Sequence, residues 1–253
     1  GAKMNLVYLA PLIFLFLSFV FSMLGMGGGQ IYIPILYWLG MDFKYQAIPL
    51  GLLLNFSVQI SAFSTYVRNK LVDFNIALPF ALSMIIFTPL GAILNFNLSS
   101  EPIIILFSLF TFFAGILAIS NYKPKGKIQS KKGKLITGFG IGGILGFLVG
   151  LIGRGGGSFI VPSLLIMGLE PKICVGTSSF IATFSSLTGF ISHIFKSNLE
   201  LKITILTVVS VIAGSQTGSR FMVKRVKSKL LKRMFGFVLI LISVLLIKSI
   251  MRK

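Results

Sequence analysis

Apolar runs of about twenty residues alternate with short polar breaks along nearly the whole chain. As a helix, a run of that length spans the roughly 30 Å hydrocarbon core of a bilayer. The pattern predicts helices over about 5–24, 46–67, 74–94, 102–121, 135–152, 173–195, 203–223 and 234–250. Two shorter apolar pieces, 31–40 and 159–168, are about ten residues each, or about 15 Å as helix. They suit half-membrane helices. The expected fold is an all-α polytopic membrane protein with about 8–10 membrane segments, re-entrant or half-helices included. The first run follows Lys3 and has no small-x-small cleavage site before its glycines, so it reads as a membrane helix rather than a signal peptide.

Each short piece follows a glycine cluster, and the clusters match. Gly25-Met26-Gly27-Gly28-Gly29-Gln30-Ile31-Tyr32-Ile33-Pro34 returns 128 positions later as Gly153-Arg154-Gly155-Gly156-Gly157-Ser158-Phe159-Ile160-Val161-Pro162. Glu170 and Lys172 match Asp42 and Lys44; after a one-residue slip, Glu200 and Gly218 match Asp73 and Gly91. The chain therefore divides into a first transmembrane repeat, 1–121, a basic linker, 122–134, and a second repeat, 135–253. An interior glycine costs a helix about 1 kcal/mol relative to alanine, so both runs break at their clusters. Irregular backbone at membrane depth is tolerated where it is buried in protein or lines a cavity, and half-helix N-termini carry partial positive charge. Gly27, Gly28, Gly29, Gly155, Gly156 and Gly157 are thus candidate substrate contacts, with Gln30 and Ser158 beside them at helix N-cap positions. The competing reading is that the glycines only let helices pack closely.

Charge sharpens the topology. The chain is 55% hydrophobic and 11% charged, with 24 Lys and Arg against 5 Asp and Glu. In a soluble protein such a charge would point to nucleic acid, but here the bases cluster between apolar runs and report topology, so no nucleic-acid partner is expected. Lys123, Lys125, Lys127, Lys131, Lys132 and Lys134 make the linker a cytoplasmic loop. Residues 95–101 contain no Lys or Arg, whereas the equivalent loop holds Lys224, Arg225, Lys227, Lys229, Lys232 and Arg233. Equivalent loops on opposite faces mean two inverted-topology repeats in a cell membrane, with the glycine turns meeting near the midplane.

Catalytic chemistry finds little support. One cysteine, Cys174, excludes an intrachain disulfide, and no cluster has metal-ligand spacing. The chain has no G-x-x-x-x-G-K-[ST] stretch for ATP. Neither a catalytic residue nor a metal or cofactor is expected. Asp42, Asp73, Glu101, Glu170 and Glu200 all fall near segment ends, Asp73 and Glu101 where helices begin, so the interior is neutral to positive and suits an anion.

Arg154 is the one charge by which the two clusters differ. A guanidinium offers a fork of donors to an oxyanion; the other reading has it snorkelling to the interface. His193 follows Ser178, Ala182, Ser186 and Gly189 on one helix face, and an imidazole is a side chain that can exchange a proton, so it is either a proton-coupling group or an interfacial residue. Asn55 and Gln59 share a helix face, and Thr177 and Ser178, with Ser179 and Thr183, decorate the equivalent helix. These neutral groups either complete an anion's shell or bond within and between helices.

At these motifs the chain resembles the sulfite exporter TauE/SafE family of membrane permeases. The likeness covers Gly25, Gly27 to Gly29 and Pro34, then Gly153, Gly155 to Gly157 and Pro162, with Gly91 and Gly218. It implies a secondary transporter, an exporter of small sulfur-containing anions such as sulfite or organosulfonates. Binding between the glycine turns and alternating access follow as expectations. The expected partners are the small anionic substrate, the lipid bilayer and a coupling proton or sodium ion; the oligomeric state is left open. The rivals are an anion channel of the same fold and a membrane protein without transport activity.

Overall fold

A computed structural model describes residues 9–95, 100–120, 130–152, 157–195 and 197–251. Among them the chain forms α1 (Ala10–Leu24), α2 (Gly29–Trp38), α3 (Ile48–Arg68), α4 (Phe74–Asn95) and α5 (Ser100–Ile119). The same order of lengths follows in α6 (Lys131–Ile152), α7 (Gly157–Ile166), α8 (Pro171–Ile194), α9 (Leu201–Arg225) and α10 (Ser228–Met251). No strand occurs among the described residues.

Helix starts follow local chemistry. Glu170 and Glu200 are the extended N-cap residues of α8 and α9, with Pro171 opening α8. Asp73 starts α4: its Oδ1 accepts from the Asn75 N–H at 3.1 Å, and its carbonyl accepts from Ile76 and Ala77. The half-helices begin two residues earlier than the apolar pattern suggests, at Gly29 and Gly157, because a glycine in the first turn escapes the penalty it incurs inside a helix. Helix α6 begins at Lys131, so the last linker lysines are helical, and Lys134 forms an ion pair with Asp73 across to α4. A π-helical turn, Phe43–Ala47, leads into α3, where the Asp42 carbonyl accepts from both Gln46 (3.1 Å) and Ala47 (2.8 Å).

Among the described residues, five helical stretches are long and apolar enough to cross a membrane: Tyr45–Arg68, Phe74–Gly91, Lys131–Val149, Pro171–Ile191 and Leu201–Arg225; Ala10–Leu24 is a shorter apolar helix. Solubility in lipid also shows in what faces outward. Leu12, Phe16, Trp38, Val209 and Phe237 are exposed, while Ser18, Ser22, Asn55, Gln59, Ser178, Ser215 and Ser219 are buried. Water would favour the reverse distribution.

The extensive helix pairings are α4 with α6, α1 with α9, α5 with α10, and α3 with α8. Small residues allow close approach. Gly214 and Gly218 of α9 lie against the Leu15 and Phe19 carbonyls of α1, and the Ser243 hydroxyl of α10 donates to the Ser108 carbonyl of α5 at 2.8 Å. Helices α3 and α8 pack on each other and carry the groups that surround the first glycine turn.

Candidate functional site: the first glycine turn

Helix α1 ends at Gly25, whose φ of 62° is left-handed, and Gly27 repeats that conformation at 65°. Only glycine adopts it without strain. There is also no room for a side chain. A Cβ on Gly25 would stand 2.5 Å from the Val175 carbonyl oxygen of α8, and one on Gly27 would collide with the Asn55 amide oxygen of α3. The turn is thus clamped between α3 and α8.

Hydrogen bonds hold the clamp. The Gly25 carbonyl accepts from Gln59 Nε2 at 3.3 Å and from the Ser178 hydroxyl. Tyr66 Oη donates to the Ser22 carbonyl at 2.6 Å, and Asn55 Nδ2 donates to Ser186 Oγ at 2.6 Å. Beyond the turn, the Gly28 carbonyl accepts from Ile31 and Tyr32, both at 2.8 Å, and α2 begins. Its first N–H groups, at Gly29 and Gln30, have no carbonyl within the helix to meet, and the helix dipole adds partial positive charge there. Tyr32 folds back over Gly28, its ring 5.0 Å from that of Phe14.

Three oxygens around this turn are buried without a partner: Tyr32 Oη, Asn55 Oδ1 and Gln59 Oε1. Their residues are 0%, 3% and 0% exposed. A buried polar atom left unpaired costs about 1–3 kcal/mol, so three beside one turn mark a place built to receive something.

The structure therefore brings together Gly27, Gly28, Gly29, Asn55, Gln59 and Ser178. Thr177 lies nearby on α8, but its Oγ1 accepts from the Asp73 N–H at 3.0 Å and so ties α8 to the start of α4. Ser179 and Thr183 donate to carbonyls of their own helix. His193 is exposed near the end of α8, with Nδ1 2.9 Å from the Gly189 carbonyl, and does not join the buried group. Gly157 and Ser158 open α7, as Gln30 follows the first residue of α2. Arg154, Gly155 and Gly156 lie outside the described residues.

Sequence reasoning assigned no role to Tyr32 or Tyr66, and passed over a polar seam between α3 and α9. Gln216 Nε2 reaches the Ser61 carbonyl (2.7 Å), Ser61 Oγ (3.0 Å) and Ser64 Oγ (3.1 Å), and Ser219 Oγ donates to Thr65 Oγ1 at 3.1 Å. The available signal was helical spacing: Ser61, Ser64 and Thr65 share a face of one apolar run, as Ser215, Gln216 and Ser219 share a face of another. Among the described residues no group of three or more His, Cys, Asp or Glu could hold a metal ion.

Apolar helices with a polar interior and a broken helix at its centre define an α-helical, multi-pass membrane protein. The chain belongs to the sulfite exporter TauE/SafE family, which matches residues 10–246. It is 28% identical over 251 residues to the probable membrane transporter protein YunE of Bacillus subtilis, covering 89% of this chain and 92% of that one. It is 26% identical over 220 residues to the probable membrane transporter protein MJ0441 of Methanocaldococcus jannaschii, covering 78% and 79%. No solved structure matches. The protein is a membrane transporter.

Proposed function

We propose that this transporter moves small sulfur-containing anions, sulfite or an organosulfonate, by alternating access around its two glycine turns. The carrying observation is the buried first turn. There a helix N-terminus opens in the protein interior, and no Asp or Glu is among the buried residues described around it. Backbone N–H groups at Gly28, Gly29 and Gln30 offer donors to an oxyanion. The second turn adds its own through Gly155 to Gly157 and Ser158, with the Arg154 guanidinium as counter-charge.

Inverted repeats agree with this reading. Exchanging the halves turns the α4–α6 pairing into α9–α1, α3–α9 into α8–α4, and α2–α3 into α7–α8, all of which occur. Five helices per copy, an odd number, suit insertion in opposite senses. The basic linker then faces the cytoplasm of a cell membrane by the positive-inside rule.

The test is melting temperature in detergent at fixed ionic strength against sulfite, thiosulfate, sulfoacetate, taurine, acetate and chloride, for the wild type and Arg154→Gln. A ligand at 100 times its dissociation constant adds about 2.7 kcal/mol to the folded state. Stabilisation by sulfur anions alone, lost in the variant, supports the reading, and saturable anion exchange across vesicles separates a carrier from a channel. If folded wild type responds to none of these anions, the cargo assignment falls.

A further inference from the structure

The unpartnered oxygens at the first turn are of the wrong polarity for an anion. Gln59 is the decisive residue, because its orientation is fixed chemically: the Gly25 carbonyl can only accept, so the amide nitrogen must face it and the amide oxygen is what remains. Asn55 donates its amide nitrogen to Ser186 Oγ, which leaves its oxygen beside Gly27, and Tyr32 adds a third oxygen beside Gly28. Each is at least nine-tenths buried. A ligand meeting these oxygens must be a cation or carry donors.

The place also suits positive charge. Gln59 meets the Gly25 carbonyl at the C-terminal end of α1, where helix carbonyls lack intrahelical partners and the dipole is negative. Broken membrane helices divide their ligands this way, cations to unwound carbonyls and helix C-termini, anions to helix N-termini. Hard cations take neutral carbonyl, amide and hydroxyl oxygens.

We propose that the first glycine turn binds one sodium ion through Gln59 Oε1, Asn55 Oδ1 and Tyr32 Oη. At an offset of 128 in the second copy stand Leu187, Thr183 and Ile160, which do not repeat this set of three side chains. With no carboxylate among its named ligands, the ion is held by neutral oxygens, and an anion seated at the start of α2 supplies the balancing charge. Each ligand then tightens the other, reciprocally. The coupling rests on the transporter reading above; the ion's binding does not.

The experiment compares melting of purified wild type in sodium, potassium, choline and methylammonium chloride at equal ionic strength, without and with sulfite. Saturating sodium alone should raise the midpoint by about 5 °C over potassium or choline, and by more when sulfite is present. Gln59→Leu should abolish the sodium response. Gln59→Glu, which places a carboxylate there, should lower the sodium concentration at half-effect about tenfold. Equal melting in sodium, potassium and choline would overturn the proposal and leave the oxygens to water; a methylammonium effect matching sodium would overturn it in favour of a donor group. A sodium shift without any anion response would sink the anion reading and leave the ion site standing.

Discussion

The two glycine turns share a backbone recipe and differ in their surroundings. Around the first stand Tyr32, Asn55, Gln59 and Tyr66; 128 positions later stand Ile160, Thr183, Leu187 and Ile194. Thr183 donates its hydroxyl to its own helix and Ile160 is buried among apolar side chains, so neither repeats the unpaired oxygens of the first turn. Conversely, the second turn has Arg154 where the first has Met26, and Met26 is buried in the core. Glycines, a proline and a ten-residue helix recur in both copies, whereas the neighbouring side chains differ: neutral oxygens around the first turn, an arginine within the second cluster.

The largest expected effect breaks the frame itself. Gly25→Val forces a branched residue into left-handed backbone and against the Val175 carbonyl, costing about 2–4 kcal/mol, so the purified protein should melt far lower or fail to elute as one species. Making the first turn resemble the second with Asn55→Thr plus Gln59→Leu removes two unpaired oxygens together with two hydrogen bonds. Stability should then change by less than about 1 kcal/mol while vesicle transport falls at least tenfold, and unchanged transport would refute a role for this turn. Tyr66→Phe deletes the bond to the Ser22 carbonyl, which has no counterpart at Ile194. A loss of about 1 kcal/mol should appear as a melting shift of about 2–4 °C, and none would mean the first turn needs no extra brace. The smallest difference lies at the helix starts. Asp73 pairs with Lys134, whereas its counterpart Glu200 has no ion pair among the described residues. Lys134→Ala should cost about 0.5–1 kcal/mol, less in high salt, and Glu200→Ala should cost less still by the same melting assay.

Much of this was legible in the chain. Helix order follows from the apolar runs and the half-helices announce themselves by the glycine clusters, but α6 and α10 begin at Lys131 and Ser228, inside basic stretches that hydropathy reads as loop. The Asn55–Gln59 pair is readable as one face, because a spacing of four is a property of the helix alone. Tyr32 is not, since within an apolar run a tyrosine is indistinguishable from core until its ring is seen over Gly28. Nor is Gln216, whose partners Ser61 and Ser64 lie about 150 residues away and meet it only through packing of α3 on α9. The π-helical turn before α3 also escaped, because it depends on one carbonyl, that of Asp42, accepting two N–H groups.

The pairing of α1 with α9, α3 with α8, α4 with α6 and α5 with α10 has a consequence for biosynthesis. When the ribosome has finished the first 121 residues, four of the five helices made so far still lack their main neighbours, which are as yet untranslated. The first half must wait in the membrane as loosely associated spans, and the native arrangement locks only as α6, α8, α9 and α10 arrive. Two polypeptides cut at residues 122–129 should accordingly be proteolysed when made singly and accumulate when made together.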